Sequence, residues 1–149
     1  MRLLATVIGI VCAALVIVGC GGGSDDTLSK AEFIKQGDAI CKKASTKREA
    51  AVVAAVRSED PGDKHGIAFS EKTIIEAGIP PLTQMTDELA DLGEPDPGAE
   101  EAAAVVEAYK AGVASMEDDP LGTLRGSNKS FAEATKLAAE FGLKACSQL

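Results

Sequence analysis

The stretch LSKAEFIKQGDAICKKA, residues 28–44, decides the fold. Ser29-Lys30-Ala31-Glu32 has the spacing of a capping box. There the serine hydroxyl and the glutamate carboxylate satisfy backbone N–H groups that a helix start leaves bare. Apolar or small residues then recur at steps of three and four: Phe33, Gly37, Ile40, Cys41 and Ala44, then Ala51, Val52 and Ala55. Lys42, Lys43, Lys47 and Arg48 fall mostly off that stripe. The spacing predicts a long amphipathic helix, ending before the turn cluster Asp60-Pro61-Gly62-Asp63.

Toward the C-terminus the same period continues. A second helical segment spans roughly Gly66 to Leu92, with Ile67, Ile74, Ile75, Leu82, Met85, Leu89 and Leu92 on its inner side. Pro80-Pro81 interrupts it, which predicts a kink or two shorter helices. Asp96 is a good N-cap for a third helix and Pro97 fits its first position, with Glu100 and Glu101 complementing the helix dipole. Ala99, Ala102, Val106, Tyr109, Val113 and Met116 form its inner face. Asp119-Pro120 restarts a short turn, after which Gly122 and Gly126 loosen the chain. Ser130-Phe131-Ala132-Glu133 is a second capping-box pattern, opening a last helix with Phe131, Ala134, Leu137, Ala138 and Phe141 inside and Gly142 as its stop. Abundant alanine, one Tyr and no Trp favour helix. The expected fold is all-α: a small antiparallel bundle of about four helices over residues 29–149, running up-down-up-down.

The first residues are built differently. Met1-Arg2 supplies one positive charge, and Leu3 to Val18 is apolar apart from Gly9, short of the roughly 20 residues that span a bilayer. This is the layout of an export signal. Its exit, Ile17-Val18-Gly19-Cys20, resembles the bacterial lipobox. The resemblance implies cleavage between Gly19 and Cys20 and a diacylglyceryl group on the Cys20 thiol, so residues 1–19 read as a lipoprotein signal peptide. An uncleaved anchor with an incidental cysteine is the alternative. Acyl chains supply the paired signals that stable attachment needs. The glycines, Ser24, Asp25 and Asp26 then make residues 20–28 a tether with a reach of roughly 15 Å. The location that follows is the extracytoplasmic face of the cell membrane.

Of the four cysteines, Cys12 leaves with the signal and Cys20 takes the lipid. Cys41 and Cys146 remain, an even pair in an oxidising location, and a disulfide is the default reading. Two free buried thiols is the other. In the expected topology the first and last helices are neighbours, which the pair would clamp. The segments LSKAEFIKQGDAICKKA, IPPLTQMTDELADLGEPDPGAEEAAAVVEAY and FGLKACSQL are together similar to a group of small secreted helical lipoproteins of actinobacteria. The resemblance supports the bundle and the disulfide and carries no active residues with it.

A formal net charge of −8 argues against nucleic acid as a partner and against an electrostatic grip on anionic lipid, so the acyl chains must do the anchoring. The paired acids Glu100 with Glu101, Asp118 with Asp119 and Asp87 with Glu88 are sequence neighbours, which diverge on a helix, so no catalytic pair is read from them. With one histidine, His65 in a turn-rich segment, and no E-x-x-H pattern, neither a metal site nor a cofactor is expected. Tyr109 reads as core with its hydroxyl at the edge, and Met85 and Met116 as packing residues. Two readings follow. One is a lipid-anchored binding or interaction module serving another envelope protein or a small ligand. The other is an envelope enzyme, hydrolase-like, with an unfamiliar carboxylate site.

Overall fold

The computed structural model describes residues 27–58, 66, 71–125, 129 and 131–149. Expectations placed on residues 1–26, on the turn at 60–63, and on His65, Ile67, Gly126 and Ser130 lie outside the described residues. Among the described residues there are five α-helices: α1 Lys30–Ser58, α2 Ile79–Ala90, α3 Ala99–Asp118, α4 Pro120–Leu124 and α5 Ala132–Phe141. A 3-10 turn, Cys146–Gln148, closes the chain. The fold is all-α, a small helical bundle. Among the described residues the only strand-like pairing is one isolated bridge between Ser29 and Asp96.

The capping box forms as the sequence reads. The Ser29 hydroxyl donates to Glu32 Oε2 at 2.6 Å and the Ser29 amide to the same oxygen at 3.1 Å, while the Glu32 amide donates to Ser29 Oγ at 3.3 Å. The side-chain bond from Ser29, then the backbone bond, hold the Glu32 carboxyl below the usual carboxylate range. A lowered carboxyl pKa contributes stability that is present above its unfolded value and is lost as pH falls through the folded one. Ser29→Ala is therefore expected to destabilise the fold at neutral pH, and the gap from the wild type to narrow in acid. Urea unfolding at the two pH values checks it.

Along α1, Phe33, Gly37, Cys41 and Ala44 are buried and Ile40 is half-buried. Beyond Ala44 the expected stripe loses its cover. Ala51, Val52 and Ala55 are only half-buried, and Val53 and Val56 stand 39% and 43% exposed.

The proline pair reshapes the second segment in a particular way. Pro80 and Pro81 have no N–H to give the turn before them, and their rings crowd it. The chain widens there into a π-helical turn, Ile74–Gly78, in which the Ile79 N–H reaches back five residues to the Ile74 carbonyl. That extra residue rotates the stripe. Ile74 and Ile79 both enter the core, whereas Ile75, expected inside, is 45% exposed. After the wide turn Leu82, Met85 and Leu89 are buried as expected, with Leu92 half-buried.

The start of α3 also differs from expectation. Asp96 is not its N-cap: the Asp96 N–H donates to the Leu28 carbonyl at 2.9 Å, across the N-terminus of α1. Gly98, in the left-handed region, takes the N-cap position and the helix begins at Ala99. Leu28, assigned to the tether from sequence, packs against the core. Glu100 and Glu101 sit in the first turn of α3 as expected, and its buried face adds Val105 and Gly112 to the residues read from sequence.

Asp119 caps α4, accepting the Gly122 N–H at 2.9 Å. Gly122 therefore tightens this turn, and a Cβ there would overlap the Asp119 carboxylate. The cap position of α5 is held by Phe131, with no side-chain hydrogen bond. Gly142 ends α5 at φ 108, a conformation that glycine adopts without a Cβ penalty. The Leu143 N–H then returns to the Ala138 carbonyl at 2.8 Å and the Gly142 N–H to that of Ala139 at 3.2 Å, the double closure of a Schellman stop.

Candidate functional site

Gly19 and Cys20, the cleavage and lipidation residues read from sequence, lie outside the described residues. Cys41 and Cys146 are joined, with sulfurs 2.00 Å and Cα atoms 5.1 Å apart and neither residue exposed. Cys146 is not on the last helix. It opens the 3-10 turn after α5, so the clamp ties α1 to a C-terminal strap.

That strap is fixed at several points. Its Leu143 side chain is fully buried and lies on Gly37, where a Cβ would come within 2.7 Å of Leu143 Cδ2. The Asp38 carboxylate accepts the Ala145 N–H at 2.7 Å. The Tyr109 hydroxyl, expected at the edge of the core, is buried and donates to the Cys146 carbonyl at 2.6 Å. Desolvation pushes the Tyr109 hydroxyl well above its ordinary pKa, so it stays protonated as a donor. The Phe33 and Phe141 rings meet edge-on, with centroids 5.6 Å apart, linking α1 to α5 beside the strap.

Among the described residues, grooves open on the surface. One, about 290 Å³, lies between the start of α1, α3 and α5, and gathers Glu100, Glu101 and Glu140 around Lys30 and Phe141. The Lys30 ammonium sits 4.4 Å from the centre of the Phe141 ring. Glu100 and Glu101 thus share a groove with an acid from α5, which the reading of sequence neighbours did not anticipate. Another, about 280 Å³, lies between α2 and α3, lined by Leu89, Glu94, Val106, Glu107, Lys110 and small residues. Among the described residues, no group of three His, Cys, Asp or Glu side chains is placed to hold a metal ion. Asp87 and Glu88 part company: Asp87 is exposed, while Glu88 receives Lys43 at 2.8 Å and Gln84 at 2.7 Å. The Lys43 hydrogen bond holds the Glu88 carboxyl below its usual range.

What the geometry defines is a small all-α domain closed by one buried disulfide between its first helix and its C-terminal strap. No protein family, curated protein or solved structure matches the chain.

Proposed function

We propose that the chain is a lipoprotein held at the outer face of the cell membrane by a diacylglyceryl group on Cys20. In this reading the helical domain is a binding or interaction module of the envelope. The observation that carries it is Ile17-Val18-Gly19-Cys20, placed where an apolar run of signal length ends. Two further features support it. The glycine-rich segment that follows supplies a short tether, and the two cysteines left after processing are the two that pair. The core beneath the helices is filled by aliphatic and aromatic side chains, which leaves the surface as the place for recognition.

Cys20→Ala is expected to abolish incorporation of a fatty-acid probe and to leave the unprocessed precursor in the cell. A variant that still takes up the probe and matures to the normal size would overturn the anchoring. Crosslinking in intact cells, followed by identification of what co-purifies, tests the second half of the reading. A specific envelope partner is the expected product.

A further inference from the structure

The second half of α1 turns an unusual face to solvent. On the side opposite the buried Phe33, Gly37, Cys41 and Ala44 it carries Thr46, Glu49, Ala50, Val53, Val56 and Arg57, all exposed. The run AAVVAAV, residues 50–56, has no polar side chain. Among the described residues three large apolar side chains stand exposed, and Val53 and Val56 are two of them. Glu49 and Arg57 bracket this patch, four residues to either side of Val53. They lie on one face but eight residues apart, twice the spacing at which helix side chains pair. Neither makes an ion pair within the described residues. The patch thus reads acid, apolar centre, base along the helix.

We propose that this face docks antiparallel on the same face of a second copy of the chain. The order of charges selects that occupant, because the pattern is its own complement when reversed. An antiparallel pair centred on Val53 sets Glu49 level with Arg57 of the partner subunit, and Arg57 level with Glu49 of the partner subunit. Val53 then meets Val53 of the partner subunit, and Val56 lies level with Ala50 of the partner subunit, where a small residue admits close approach. A parallel pair would set acid on acid and base on base. The contact is isologous, the commonest symmetry of a dimer. The rest of the bundle lies behind α1 and does not obstruct it. Two or three helical turns bury far less than the ~1,600 Å² of a standard interface, so the pairing needs a high local concentration. For that concentration the proposal rests on the anchor at Cys20. A twofold axis perpendicular to both helices leaves both N-termini at one height, so two tethers can reach one membrane.

The test uses the full chain in its own cells. Val53→Cys places a thiol at the twofold axis, and Ala39→Cys places one on the same exposed side about 21 Å away along the helix. After mild oxidation, Val53→Cys is expected to give a homodimer on a non-reducing gel and Ala39→Cys very little. Adding Glu49→Arg or Arg57→Glu to Val53→Cys should lower the dimer yield roughly tenfold, the scale of losing two exposed ion pairs at once. Adding both together should restore it. Equal yields at the two thiol positions, no dimer at Val53→Cys, or a double reversal no better than the single ones each overturn the proposal. A product joined to a different protein also overturns it. Uptake of a fatty-acid probe reads the anchor separately. A labelled chain that does not crosslink refutes the pairing and spares the anchor, and a chain that crosslinks unlabelled does the reverse.

Discussion

Replacing both Cys41 and Cys146 by alanine is expected to lower the unfolding free energy by about 4.7 kcal/mol, the chain-entropy value for a loop near 100 residues. The bond encloses a sequence separation of 105, so the cross-link removes much of the freedom of the unfolded chain. Single domains are stable by only about 5–15 kcal/mol, so the loss is a large fraction of the whole. The double variant is chosen because a lone remaining thiol invites intermolecular pairing. Alanine is chosen because a serine hydroxyl would need a partner in two positions with no exposure. The strap should nevertheless stay docked in the folded variant, held by Tyr109 on the Cys146-position carbonyl, Asp38 on the Ala145 amide and Leu143 over Gly37. Circular dichroism should then report unchanged helix at low denaturant and a transition shifted to lower urea. A loss below about 1 kcal/mol would mean that the unfolded chain is already compact around these two residues.

How far this was legible depends on whether the signal was local. The capping box at Ser29 and the stop at Gly142 are patterns of a few residues, and the structure places both where the sequence does. The inner faces of α3 and α5 follow a fixed period and were read nearly complete. The second segment failed at one place for a physical reason. A period of 3.6 cannot foresee a wide turn, and the wide turn before Pro80-Pro81 exchanged Ile75 for Ile79. Asp96 was misread because its backbone amide bonds to the Leu28 carbonyl, a contact between distant segments that residue type does not announce. Leu143 was missed although a signal existed: the residue after a glycine stop commonly carries an apolar contact, and here Leu143 bonds its amide back to Ala138 and lays its side chain on Gly37 of α1. The bond from Tyr109 to the Cys146 carbonyl joins residues 37 apart, and nothing local announces it.

Leu89→Ala is expected to cost about 2–5 kcal/mol, because truncating a buried leucine loses its transfer energy and leaves a cavity. Leu89 is 1% exposed, on the last turn of α2, and its side chain faces Gly37 of α1. A Cβ on Gly37 would lie 3.4 Å from Leu89 Cδ2 and closer still to Leu143. The space vacated by the mutation would therefore be bounded by a glycine, which has no side chain to move into it. Leu143 is pinned by the turn after Gly142 and by the strap's bonds to Asp38 and Tyr109. Poor relaxation on both sides places the expected loss in the upper half of the range. The comparison that gives the number meaning is Glu100→Lys. Glu100 is exposed in the first turn of α3, and reversing its charge should cost less than about 1 kcal/mol, the scale of a helix-dipole interaction at the surface. Urea unfolding of both variants at equal ionic strength decides the matter. Small and equal losses would place Leu89 outside the core and overturn the packing of α2 on α1. A loss at Leu89 several times that at Glu100 is what a junction closed by Gly37, Leu89 and Leu143 requires.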